Sequence, residues 1–378
     1  MRSVRHFSAL ALLVCGAACS GGTQGGAAGA PAPDAGTTAG AGGTTSGAPA
    51  ASQAWPVKTR EHVDLWLHGF AMVQPDTTRV PLFRRGYRDE LTVARNRGNV
   101  TTLLDANRQQ LAARFAANPS LTGAQFLALY ATSWEELVRA TQLFIQANGD
   151  PNRARSQQEA GVITTLAQAF PSAADRQWLV LFMRSLEDER AKFYHDYWVR
   201  QQQERAGALA AVDSLWQRRY RPRMQRFLNN TQQANGELVL SLPLNGEGRT
   251  VSGGKRQNVV TVNFPATAAA ATEAIYAYAH ETAGVFASTV VSDNTSPAEK
   301  RSGGADRIQS SAAVLAGYYL VLKTSPELAD GYARYYLNAA NVSSAGANAE
   351  SALVATFPVP ANIREEIRRQ LDVVLGGI

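Results

Sequence analysis

Ala279-His280-Glu281-Thr282-Ala283-Gly284 sets two ionisable side chains next to each other in a run that is otherwise small or apolar. The run extends from about Thr267 to Val290 and consists mainly of Ala, Val, Ile, Tyr and Phe. A helix that is apolar on most sides belongs in a core. A His-Glu pair carried into a core is costly unless it finds partners there. Gly284 stands four residues after His280, on the same helical face, and offers no side chain.

Two strand-like segments precede this helix. Glu237 to Leu242 is one, followed by Pro243 and a polar, Gly-rich stretch through Gly254 that reads as a flexible loop. Asn258 to Phe264 alternates in strand fashion and stops at Pro265. The two are placed to pair as an antiparallel hairpin with a long loop. Ala305 to Lys323, Ala329 to Ala340 and Ile363 to Leu375 read as further helices, and Gly376-Gly377 marks the end of the last. Before Gly236, most of the chain from Trp55 to Asn230 reads as helix. Glu61 to Val73 is apolar nearly all round, and Thr122 to Asn148 forms a second candidate. Ala160 to Ala169 forms a third, and Ser172 to Asn230 one or two long helices, with Pro222 as a kink or break. The expected class is mainly α with a small β element (α+β). A helical region, 55–235, is followed by a region, 236–378, of a strand pair, the His-Glu helix and C-terminal helices. The two are expected to pack as one unit.

The order of strand, buried His-Glu helix and later helices resembles the zincin metallopeptidases, and in particular the gluzincin branch. There the motif H-E-x-x-H supplies two zinc ligands and a general base, and a later helix supplies a Glu as third ligand. The chain as a whole is similar to bacterial lipoproteins of metallopeptidase-like families with helical N-terminal regions. By this resemblance His280 matches the first zinc ligand and Glu281 the general base. Gly284 stands where the second ligand belongs. The third should come from the helix after Ala305. Its Gln309–Val314 run offers the hydroxyls of Ser310 and Ser311, and Asp306 is its nearest acid, with Asp293 and Glu299 in the loop before. The strand carrying Asn258, Val260 and Val262 would line the substrate cleft. A catalytic zinc takes three protein ligands and an open position, so no tightly bound zinc is expected. Zn2+ enters only if the site is active with non-standard ligands. The other reading of His280 is a structural histidine, hydrogen-bonded within the core of an unrelated helical fold.

Other constellations are weaker. His62 and His68 are six residues apart, about 120° around a helix, and do not share a face. His195, among Phe193, Tyr194, Tyr197 and Trp198, reads as aromatic packing. Glu273 is two turns before His280 and too far along the axis to share an ion with it. Glu187, Asp188 and Glu189 read as a solvated acidic face. The sequence contains no G-x-S-x-G elbow, no P-loop and no G-x-G-x-x-G after a strand.

The N-terminal residues point to export. Arg2 and Arg5 precede an apolar stretch, Phe7 to Val14, that is too short to span a bilayer. Gly16-Ala17-Ala18-Cys19 resembles a lipobox, with Gly16 in place of the usual Leu, which makes residues 1–19 a lipoprotein signal and Cys19 the lipidated residue. An ordinary cleavable signal ending at Ala18 is the alternative, and Cys15 fits less well behind branched Val14. With Cys15 removed and Cys19 lipidated, no disulfide or cysteine-based zinc site remains. Residues 20–54 are nearly all Gly, Ala, Thr, Ser and Pro, a composition that does not fold. They read as a tether with a reach on the order of 30–35 Å.

The formal net charge is +6, or about +4 once Arg2 and Arg5 leave with the signal. The densest basic cluster, Arg218-Arg219-Tyr220-Arg221-Pro222-Arg223, could attract phosphates or lipid headgroups but reads first as a solvated basic face, and it has too little aromatic interleaving for a nucleic-acid site. The expected function is therefore that of a lipid-anchored protein of the bacterial cell envelope, with the anchor in the membrane. Its metallopeptidase-like domain is degenerate and binds or scaffolds a peptide or another envelope protein. An active zinc metallohydrolase and a purely structural helical envelope protein are the alternatives.

Overall fold

Glu61–Val73 is a helix with no solvent-facing stripe: every residue from His62 to Val73 is buried. Such a helix must be wrapped on all sides, and the remaining elements are arranged around it and around a second apolar helix, Thr272–Asp293. The computed structural model describes residues 54–74, 80–252, 258–301, 304–343 and 348–376. The expected signal, Cys19 and nearly all of the tether lie outside the described residues. Those described fall in one compact unit, mainly α with a small β element. None of its helices is long and apolar enough to cross a membrane.

The strands are β1 (Val57–Thr59), β2 (Gly236–Ser241), β3 (Arg249–Ser252) and β4 (Asn258–Asn263), in the order β1-β2-β4-β3. β2 and β4, expected as an antiparallel hairpin, are parallel instead, with Gly236 opposite Asn258 and Ser241 opposite Asn263. The reason lies between them. Residues read as loop form β3, which pairs antiparallel with β4 from Arg249–Thr261 to Ser252–Asn258. β3 thus occupies the far side of β4, and β2 approaches from the other. β1 adds to β2 in parallel and was hidden in a region that reads as helical.

The helical part follows the apolar periodicity with three instructive departures. Thr122–Asn148 is not one helix. A 3-10 segment, Pro119–Tyr130, gives way at Ala131 to a helix, Trp134–Gln146, whose start is fixed by Ser133. Its hydroxyl accepts from the Glu136 N–H, while Thr132 N–H donates to the Glu136 carboxylate, so the capping signature Ser-x-x-Glu outweighs continuing periodicity. The Ser172–Asn230 stretch is two long helices parted at Arg205, and each contains one π-helical turn: Arg190–Tyr194 and Trp216–Tyr220. The second turn ends just before Pro222, whose ring would meet a carbonyl four residues back in a regular helix. The wider turn absorbs that conflict without breaking the helix. At the other end, Gly376 closes the last helix, Ala361–Leu375, with φ +75°.

The Thr272–Asp293 helix lies against β4 and β3 on one side and against Gly304–Thr324 on the other. The two helices approach closely where their side chains are smallest. A Cβ on Gly317 would lie 2.2 Å from the Tyr332 hydroxyl and 3.1 Å from the His280 Cα, and a Cβ on Gly284 would lie 3.3 Å from that of Ala313.

Candidate functional site

His280 and Glu281 are brought to the edge of the sheet by this packing. Glu281 points at β3 and the turn before it. One oxygen accepts from the Gly248 N–H at 2.8 Å, the other from the Thr250 hydroxyl at 2.9 Å. His280 Nδ1 lies 3.1 Å from the first of these oxygens. Burial pushes the Glu281 carboxyl upward, but the His280 contact, the Gly248 N–H and nearby Arg249 outweigh it and hold it below the usual range. The carboxylate is thus ionised, and each of its oxygens accepts a hydrogen bond. Gly248 is required for this approach, since a Cβ there would lie 2.2 Å from the Thr261 carbonyl and 2.8 Å from Glu281 Cγ.

The His280 ring stacks on Tyr336, with centroids 5.2 Å apart and planes 23° apart. The Tyr336 hydroxyl in turn donates to the Gly246 carbonyl at 2.9 Å. Glu247 completes the cluster. Its carboxyl is pushed up by burial, opposed by Arg249, whose Nη1 is 3.8 Å away, and by His280. Arg249 is steered by Gln125, which accepts from its Nε at 2.9 Å, and it lies over the Phe126 ring. The stretch from Pro243 to Gly248, read as a flexible loop, is therefore held from several sides. Arg84 N–H donates to the Pro243 carbonyl and Asn245 N–H to that of Leu82.

The donors a zinc site needs do not assemble here. Gly284 faces Ala313, and the position opposite His280 on the neighbouring helix is Gly317. Ser310 is exposed and Ser311 half-buried, so the hydroxyl run expected opposite His280 is displaced by small residues. Asp306 lies in the Gly304–Thr324 helix, but its side chain is outside the described residues. Among the described residues no three His, Cys, Asp or Glu side chains form a group fit for a metal ion. The described residues therefore offer no set of three protein ligands for a catalytic zinc.

The substrate-strand expectation also shifts. β4 has ladder partners on both sides, and Asn258, Val260 and Val262 are buried. A peptide adding to this sheet near His280 would meet β3, the edge strand, instead.

The other described histidines have partners of their own. His62 Nε2 lies 2.9 Å from the Ala131 carbonyl. His195, expected to pack among aromatics, is half exposed with Nδ1 3.0 Å from Glu61. It lines an open cavity of about 700 Å³ with Trp134, Val138, Arg139, Glu187 and Arg190, distinct from the His280 cluster. His68 is fully buried and bridges the Tyr87 hydroxyl and Glu189, each at 3.1 Å.

Glu189, expected on a solvated face, is fully buried. It takes Arg95 at 2.9 Å as well as His68 and the Thr102 hydroxyl, and Arg95 also reaches Asp105 at 2.8 Å. Burial raises its carboxyl and these partners bring it below the usual range. The sequence held a signal for this: Leu179, Phe182, Leu186, Glu189 and Phe193 recur at helical intervals, so Glu189 continues the apolar stripe. The arrangement ties together the helices Glu61–Val73, Tyr87–Arg97 and Ala173–Glu189. Compared with protein-family models, with curated proteins and with solved structures, the chain matches none.

Proposed function

We propose that this is a lipid-anchored protein of the bacterial cell envelope whose metallopeptidase-like region acts by binding or scaffolding rather than by zinc hydrolysis. The observation that carries the reading is the engagement of Glu281. A general base must be free to take a proton from water, whereas this carboxylate accepts from a backbone N–H, a hydroxyl and the adjacent imidazole. It serves as a tie between the His280 helix and β3. The small residues Gly284, Ala313 and Gly317 support the same reading, because they bring two helices together where ligands would have to stand. An extended segment of a peptide or envelope partner would then be taken along β3, by backbone pairing at a sheet edge.

The test has two arms on the purified chain. Zinc measured after dialysis should be well below one equivalent and equal in the wild type and His280→Ala. Near-stoichiometric zinc that disappears in His280→Ala sinks the proposal. Glu281→Gln should cost about 1–3 kcal/mol of stability, because a neutral amide gives up the charge-assisted bonds to the Gly248 N–H and His280 and the attraction of nearby Arg249. A Glu281→Gln chain of unchanged stability that has lost a hydrolytic activity would favour the metallohydrolase instead.

A further inference from the structure

The carbonyl of Trp55 is fixed to the second long helix by two donors, Trp216 Nε1 at 3.0 Å and Gln217 Nε2 at 2.8 Å. The Trp55 indole is fully buried, edge-on to Trp216 and Tyr278. A chain arriving at Trp55 therefore joins the body at the flank of this helix. Immediately beyond the clamp, Arg218, Arg219, Arg223 and Arg226 are all exposed. Arg219, Arg223 and Arg226, four and three residues apart, follow one outward stripe about 10 Å long, and Arg218 flanks it roughly 100° round the helix from Arg219. Arg221 is turned aside and bonds Gln217 and Gln225. Glu327 alone answers the stripe, accepting from Arg219 and Arg223. Arg218 and Arg226 have no carboxylate partner among the described residues, and the Arg226 guanidinium lies against Gly376 at the end of the last helix.

We propose that this arginine stripe is a membrane-facing surface that takes the phosphates of anionic phospholipid headgroups. The proposal rests on the reading of Cys19 as a lipid anchor. Guanidinium groups match phosphate oxygens in pairs, and their attraction to a charged surface fades within about 8 Å at physiological salt. Position therefore decides whether such a stripe acts. Here it adjoins the point where the tether meets the body, and a tether reach on the order of 30–35 Å keeps it close to the bilayer. A nucleic acid also carries phosphates, but the aromatic ring within the stripe, Tyr220, is 2% exposed and offers no platform for bases. Among the described residues no exposed large apolar side chain lies on this helix, so the contact is adsorption to headgroups rather than insertion.

The test uses the full lipidated chain, reconstituted with vesicles of phosphatidylcholine alone or of phosphatidylcholine with phosphatidylglycerol. Arginine modification by phenylglyoxal is followed residue by residue by mass spectrometry. Arg218, Arg219, Arg223 and Arg226 should react at least about fivefold more slowly on the anionic vesicles, and high salt should abolish the difference. Arg97, Arg108, Arg153 and Arg155, exposed elsewhere, should not change. Equal reaction on both vesicle types overturns the proposal, as does equal protection by inorganic phosphate without vesicles. Flotation separates this from the anchor. A chain that floats with neutral vesicles but shows equal labelling refutes the stripe and keeps the anchor. A chain that floats only with anionic vesicles, and loses that when the four arginines are changed to Gln, keeps the stripe and refutes the anchor. Flotation with neither refutes both.

Discussion

Gly317 and Gly284 occupy the same helix contact but tolerate side chains differently. A methyl at Gly317 would press on the Tyr332 hydroxyl, which is itself held by the Val314 carbonyl at 3.0 Å, and on the backbone at His280. Gly317→Ala should therefore cost about 2–3 kcal/mol in urea unfolding. Gly284→Ala meets only the Ala313 methyl, at 3.3 Å, and gains helix propensity. It should stay within about 1 kcal/mol of wild type. Similar losses for the two would show that the helices do not cross as described. At this scale the sequence was legible in part. His280, Glu281 and Gly284 stood out, and the burial of the pair followed from the Ala-rich run around it. What Gly284 faces did not follow, because a residue's partner across a helix contact depends on a crossing that local pattern does not encode. Glu247 was hidden for the same reason: its neighbours are contributed by a turn, a strand and a helix.

Asp64 joins two elements, the Glu61–Val73 helix and the end of β2. Its carboxyl accepts from the Leu242 N–H at 3.1 Å and from Trp198 Nε1 at 2.8 Å. Burial raises its pKa to about 7, against the pull of these donors and of Arg205, with the hydroxyls of Tyr87, Tyr194 and Tyr197 also nearby. An acid raised in the fold holds its proton more tightly there than in the unfolded chain. Its contribution is most favourable below about pH 4 and is lost as pH climbs to about 7. Asp64→Asn removes that loss. Relative to wild type its stability should therefore improve by about 4 kcal/mol from pH 4 to pH 8, levelling off above pH 7. A difference that is flat with pH would show that Asp64 is ionised throughout. At the scale of elements, the long helices were readable because a strong 3.6-residue period survives tertiary packing. The strand pairing was not, since β2 and β4 gain their parallel relation from β3, four residues concealed in a Gly-rich stretch. The π-helical turns left no periodic trace either.

For the whole molecule, the anchor reading and the described body make separate demands. Under that reading Cys19→Ser should move the protein out of the membrane fraction and abolish labelling by a fatty-acid probe, while leaving the thermal midpoint of the body unchanged. Labelling that persists in Cys19→Ser would remove the assignment. Mild proteolysis should trim the chain to near Trp55 and no further, because β1 and the Trp55 indole are built into the core. The change of composition near residue 54 is plain in the sequence. The attachment of Trp55 to Trp216, Gln217 and Tyr278 is not, as it joins residues more than 150 positions apart.

That attachment has a mechanical side. A pull transmitted through the chain ahead of Trp55 reaches the body at the N-terminal end of β1, which runs parallel to β2. The load falls at once on the strand ladder, on two side-chain bonds to a single carbonyl and on an indole seated between two rings. These resist together in shear instead of opening one after another. The first residues of the body thus act as a strain relief: a pull arriving at Trp55 is borne there and not at the sheet edge where Glu281 is tied.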